Sequence, residues 1–194
     1  MIVLASASPR RQELLRNAGI LFSAQPADID ETPRAGESPR DCAERLAQEK
    51  AGVISKKCPR DFVLGADTIV VVDETILGKP RDADDALRML RLLSGRAHAV
   101  ITGVCLVSPV ASDQWPVVSN TKSASETTLV TMGEISDDEI REYIATGEPM
   151  DKAGAYAIQG MASRWIPRIE GDYSNVVGLP VALVYRMLKS HGLR

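Results

Sequence analysis

"MIVLASASPRRQELL", residues 1–15, runs from a four-residue apolar opening through a loop of small residues into a helix. Ser8 is a good N-cap, Pro9 suits the first helical position, Leu14, Leu15 and Ala18 form an apolar stripe, and Gly19 is a C-terminal stop. The first turn carries Arg10 and Arg11 where an acidic side chain would answer the positive end of the helix dipole, and Arg11 holds the place of a capping-box Glu. Facing bare solvent, each such charge costs from a few tenths to about one kcal/mol. A bound anion reverses the sign, because backbone N–H groups converge at a helix start that follows a strand. Two solvated arginines and a phosphate site are the readings this stretch leaves open.

Outward from it, strand-like and helical patterns alternate. Phe62–Val72, His98–Val107, Val117–Met132 and Ala155–Ile158 read as strands. Ser38 opens a helix that runs to about Lys56, and Asp82 opens another with the stripe Ala83, Ala86, Leu87, Leu90 and Leu93. In "ISDDEIREYIATG", Ser136 and Glu139 form a capping box, Ile135 and Ile140 a hydrophobic staple, and Gly147 the stop. The last helix starts near Pro180, buries Leu183, Val184, Met187 and Leu188, and ends at Gly192. Alternation of this kind predicts an α/β fold, and the long adjacent runs from His98 to Met132 suggest antiparallel strands, so the sheet should be mixed. Ser108–Ser119, polar and proline-containing, reads as a hairpin loop.

Length and composition narrow the function. A chain of 194 residues, 44% hydrophobic, suits one large domain or two joined lobes. A net charge of -3 gives no support for broad binding to nucleic acid or anionic membrane, so any basic site is local. Cys42, Cys58 and Cys105 are odd in number and lack metal-type spacing, which fits a reducing compartment. Zinc is disfavoured, because only His98 and His191 are available beside them. Without a signal-like start or a membrane-length apolar run, the expected location is the cytoplasm.

Charges then appear where the pattern wants apolar residues. Asp67 interrupts "FVLGADTIVVV", and a buried carboxylate without partners is costly. Either backbone donors satisfy it at a break marked by Gly65, or it serves a site with a cation nearby. Lys50 falls near the middle of the apolar arc of its helix, among Cys42, Ala43, Leu46, Ala47, Val53 and Ile54. A lysine at the border of a stripe snorkels; one at its centre reaches into a cleft. "DIDE", with Asp28, Asp30 and Glu31, is an acidic loop, and "LGKPRD" sets Lys79 in a rigid turn after a short strand. Arg10, Arg11, Lys50 and Lys79 with Glu31 and Asp67 suit a polyphosphate bound with a divalent cation, because Mg²⁺ takes a few carboxylates plus substrate oxygens. No Walker motif is present, and Ser94 before His98 marks a helix end rather than a Ser/His hydrolase.

In this order, "LASASPRRQELL", "DIDET", "RLAQEKA", "GADTIVVV", "LGKPRD", "LSGRAHAVITGV", "YIATGEPMDKAGAYAIQG" and "IEGDYSNVVGLP" resemble the Maf family of nucleoside triphosphate pyrophosphatases. The resemblance covers residues 1–194 as one Maf-like domain and implies a mixed twisted sheet flanked by helices, in two lobes with a central cleft, as in inosine-triphosphatase-like proteins. It implies metal-dependent hydrolysis between the α and β phosphates of a nucleotide, with Mg²⁺ or Mn²⁺ as cofactor. In that scheme Asp67 is the proton acceptor and, with Glu31, a metal ligand. Glu31, Lys50 and Lys79 complete the catalytic set, and Ser8, Arg10, Arg11, Thr68 and Gln159 contact the substrate. Within the family the sequence is similar to the branch acting on dTTP and UTP, marked here by Arg11, Thr68 and Gln159. A 7-methyl-GTP or inosine-type preference, or a regulator of septum formation acting by binding alone, is the alternative. Family members are often homodimers. The loop Ser108–Ser119 and the stretch "MASRWIPR", with Trp165, are less typical of the family and bear on cleft access and fine substrate preference.

Overall fold

The computed structural model describes residues 1–109 and 121–193. In chain order its strands and helices are β1 (Ile2–Leu4), α1 (Pro9–Asn17), β2 (Phe22–Ala24), α2 (Pro39–Ser55), β3 (Phe62–Val72), β4 (Thr75–Leu77), α3 (Ala83–Leu93), β5 (Ala97–Val107), β6 (Thr121–Thr131), α4 (Asp137–Ala145), β7 (Arg168–Glu170), α5 (Tyr173–Val177) and α6 (Val181–Lys189). The strands form one sheet in the order β2-β1-β3-β5-β6-β7, with β4 paired to β3. β1 runs parallel to β2 and β3, while β3–β4 and β6–β7 are antiparallel, so the sheet is mixed as expected, with β5 and β6, the two long adjacent runs, as neighbours in it. Most of the expected loop at Ser108–Ser119, and the start of the strand expected from Val117, lie outside the described residues.

Contacts divide the chain into two compact units, residues 1–67, 102–126 and 178–194 in the first and 68–101 and 127–177 in the second. The first is a strand layer covered on both faces, and the alternation of side chains along each strand assigns the faces. Ile2, Leu4, Leu64, Ala66, Val104 and Leu106 pack with Leu15 of α1 and with Val184, Met187 and Leu188 of α6. Val3, Val63, Cys105 and Val107 point the other way, onto Ala47, Ala51 and Ile54 of α2. Helix α1 has only nine residues, too few to persist alone in water, so its fully buried Leu15 secures it. Ala18, expected in the same stripe, is exposed, and Leu183 of α6 is only partly buried.

Helix α2 lies unusually close to the sheet. A Cβ added at Gly65 would sit 2.1 Å from the Ala47 carbonyl oxygen, and one at Gly103 would sit 2.2 Å from that of Ala43. Gly65 therefore marks close packing inside an unbroken strand, not the bulge its sequence position allows. Small residues on both sides of this contact bring the α2 backbone down onto β3 and β5.

The second unit has its own core, built by α3, α4 and the segment from Ala153 to Trp165 around Leu90, Tyr143 and Trp165. The caps at Asp82 and Ser136 form as expected, the latter as a full capping box. Ala83 is exposed, whereas Asp85 turns inward and accepts from Arg88 Nε and Nη2 at 2.9 and 2.7 Å. Ala155–Ile158 is not a strand: Gly154 and Ala155 both take positive φ, and the segment is a 3-10 turn followed by irregular chain. Ala155 and Tyr156 are buried and Ala157 and Ile158 half-buried, in irregular chain that belongs to no strand. Trp165 belongs to the core, 5.4 Å from the Tyr143 ring in an edge arrangement.

His98 is buried in this core, its Nε2 2.8 Å from the Tyr156 hydroxyl, and Nδ1 meets no partner among the described residues. Burial pushes its pKa down to about 4. Between that value and the unfolded pKa of about 6.5, the unfolded chain binds the proton and the folded protein does not. His98 is thus compatible with full stability above pH 6.5 and erodes it as pH falls toward 4. Urea midpoints taken at pH 7 and 4.5 should fall further for the wild type than for His98→Gln, whose amide can still meet Tyr156; parallel losses would refute this role.

Candidate active site

The N-terminal half of β3 ends at Asp67, and α2 presents Lys50 to it. Ala47 and Ala51 seat the helix on Gly65, so the Lys50 stem passes over the apolar face and its ammonium emerges two residues further along the strand. Nζ lies 2.5 Å from Asp67 Oδ1 and 2.5 Å from Glu31 Oε1. The Lys50 and Asp67 side chains are 9% and 10% exposed, whereas Glu31 is 44% exposed. One buried cation therefore joins a buried carboxylate to one that faces solvent. Asp67 thus has a side-chain cation as its partner.

Glu31 belongs to a segment without regular structure, and it is held by a clasp the sequence did not reveal. Arg45, five residues before Lys50 on α2, donates from Nε and Nη2 to both Glu37 oxygens at 2.6 and 2.8 Å. Its Nη2 also reaches the carbonyl of Thr32, next to Glu31, at 3.2 Å. The Arg45 guanidinium pulls the Glu37 carboxyl down to about 2. Within the "DIDE" loop, Asp30 is spent locally, accepting from Thr32 N and Oγ1, and Asp28 is exposed. An Arg45–Glu49 spacing of four is the one local hint of this network.

The β1–α1 turn and the start of α1 carry Arg10 and Arg11, the other candidate site cations that fall in this unit. Ser8 caps α1, its Oγ accepting from Arg11 N, and its own N–H donates to Ser6 Oγ at 3.2 Å. Arg11 turns inward: Nε donates to Gly178 O at 2.7 Å and Nη1 to Ala66 O at 2.9 Å and Ser6 Oγ at 3.3 Å. Burial lowers its pKa, and the Asp67 carboxylate acts against that shift. Arg11 thus ties the helix start to the residue before Asp67 and to the chain entering α6. Arg10 is half-buried, and its like charge adds to the lowering of the Arg11 pKa.

Lys79, Thr68 and Gln159 belong to the second unit. Thr68 follows Asp67 directly in β3. Lys79 is exposed in a turn fixed by Gly154 N donating to Gly78 O at 3.0 Å. Gln159 is exposed in the turn after Ile158, not at a strand end. Ser94 and His98 have separate partners: Ser94 Oγ accepts from Ile135 N at 2.7 Å, and His98 meets Tyr156. Among the described residues no helix is long and apolar enough to cross a membrane.

A protein of Koribacter versatilis named dTTP/UTP pyrophosphatase is 57% identical over 192 residues, 99% of this chain and 95% of its own. One of the same name from Syntrophomonas wolfei is 50% identical over 97% of this chain and 96% of its own. The solved Ham1 protein of Staphylococcus aureus aligns over 98% of both chains at 14% identity and a TM-score of 0.49, a likeness too distant to add to these. The Maf-like protein model matches residues 1–191, and with relatives this similar along their whole length the chain belongs to the Maf family.

Proposed function

We propose that the protein hydrolyses dTTP and UTP between the α and β phosphates, giving the nucleoside monophosphate and pyrophosphate. The observation that carries this reading is the Lys50 ammonium held between Asp67 and Glu31, in a chain half or more identical to proteins named for that activity.

The donor set fits a divalent cation. Two carboxylates already converge on one positive charge, and hard oxygen donors suit Mg²⁺ or Mn²⁺. No three His, Cys, Asp or Glu side chains among the described residues are placed to hold a metal ion together, so phosphate oxygens and water would complete the coordination. Asp67 and Glu31 would hold the ion, which when bound polarises phosphoryl oxygens and activates water. Asp67 accepts the proton as water attacks phosphorus, since a carboxylate has lone pairs beyond the one Lys50 takes. Lys50, Lys79 and Arg10 neutralise charge gathering on the phosphates and the departing pyrophosphate. Ser8 and the open N-terminus of α1 add neutral donors. Arg11 bears on specificity by fixing the backbone at Ala66, beside Asp67 and Thr68. Gln159, with a donor and an acceptor on one amide, can pair with a uracil or thymine edge.

On this reading the protein acts in the cytoplasm on a free nucleotide, as one Maf-like domain of 194 residues, and shares the family habit of homodimerisation. Pyrophosphate release from UTP, dTTP, GTP, 7-methyl-GTP and ITP with Mg²⁺ or Mn²⁺ tests it. The expected kcat/KM favours the pyrimidines by about 10²-fold or more. Turnover of the purine nucleotides without dTTP or UTP would overturn the substrate assignment.

A further inference from the structure

We infer that Tyr143 and Glu148 are positioning residues for Gln159, fixing from below the turn that presents its amide to the nucleotide base. The inference rests on the pyrimidine-nucleotide reading and adds residues that its motifs do not assign.

Gln159 is exposed, and its side chain makes no hydrogen bond among the described residues. An exposed glutamine would ordinarily sample many rotamers on a mobile turn. Here the backbone on both sides of it is tied down. Before it, Ala157 N donates to the Tyr143 hydroxyl at 3.3 Å. After it, Met161 N donates to both Glu148 oxygens at 3.2 Å. Tyr143 Oη donates to Glu148 Oε1 at 2.8 Å, joining the two anchors. Gly160 N closes the turn on Ala157 O at 3.1 Å.

The anchors are themselves fixed. Tyr143 is fully buried in α4 with its ring against Trp165, and Glu148 follows Gly147, whose φ of 78° starts the 3-10 turn Glu148–Asp151. The Glu148 carboxylate lies so close under the turn that a Cβ at Gly160 would be 2.1 Å from Oε1. A carboxylate and a phenol are thus spent on holding main chain beneath one unengaged amide. This pre-organises a recognition group, so that binding a base costs little further ordering.

The test measures kcat/KM for UTP and GTP in the wild type, Tyr143→Phe, Glu148→Gln, Gln159→Ala and the Tyr143→Phe/Gln159→Ala double variant. Tyr143→Phe keeps the buried ring and removes only the hydroxyl. It should lower kcat/KM for UTP about tenfold, mainly through KM, and leave GTP within about twofold. In the Gln159→Ala background the same change should cost UTP nothing more. Equal losses for UTP and GTP, or losses that add in the double variant, would overturn the inference. Should Tyr143→Phe fail to fold, Glu148→Gln decides by the same ratio. A wild type without pyrimidine preference would overturn the substrate reading itself, and the inference with it.

Discussion

Asp67→Asn should lower kcat for UTP by about 10³-fold while KM changes less than about threefold. Asparagine nearly preserves the shape of the side chain, and its amide oxygen can still accept from Lys50, 2.5 Å from the native Oδ1. What it loses is the capacity to take a proton and half of the carboxylate pair proposed to hold a divalent ion. General-base assistance accounts for about 10²–10⁴ in rate, so the expected loss is large even if every phosphate contact survives. Glu31→Gln should cost less, because that carboxylate is 44% exposed and water can replace part of its role. Unfolding curves for both variants separate a chemical loss from a structural one. A near-native kcat for folded Asp67→Asn would make the residue a structural partner of Lys50 and overturn its role as proton acceptor.

Lys50 and Asp67 were readable in the sequence because each violates a strong local pattern, a cation at the centre of a helical stripe and an anion in a core strand. N-caps at Ser8, Ser38, Asp82 and Ser136 were readable because a cap is a local hydrogen bond, and each forms as its spacing predicts. The Arg45–Glu37 clasp was not, because it depends on where a loop returns. Arg11 looked like a helix-start cation with an open partner, yet it spends its donors on carbonyls of Gly178 and Ala66, the first of them 167 residues away. Strands β2 and β7 have three residues each, too short for a period of two to show. Ala155–Ile158 carries strand-like residues, but left-handed backbone at Gly154 and Ala155 takes it out of any ladder.

Gly65 shows how packing sets chemistry, and Gly65→Ala is expected to destabilise the protein by about 3 kcal/mol or more. The added methyl would meet the Ala47 carbonyl oxygen at 2.1 Å and the Ala51 nitrogen at 2.9 Å, both backbone atoms that no rotamer change can clear. The only relief is for α2 to lift away from β3. That movement carries Lys50 with it, against a contact of 2.5 Å to Asp67. A displacement on the order of 1 Å at a positioned group can cost about 10²-fold in rate, so activity per folded molecule should fall as well as stability. Gly52→Ala supplies the control. It lies in the same helix, its Cβ would meet nothing within 4 Å, and relief of glycine's backbone entropy should leave stability unchanged or raise it by up to about 1 kcal/mol. Urea denaturation and turnover at saturating UTP, measured for both variants, separate the two glycines. If Gly65→Ala unfolds at the wild-type midpoint with full turnover, the close seating of α2 is not what brings Lys50 to Asp67, and the ammonium must be held there by its carboxylate partners alone.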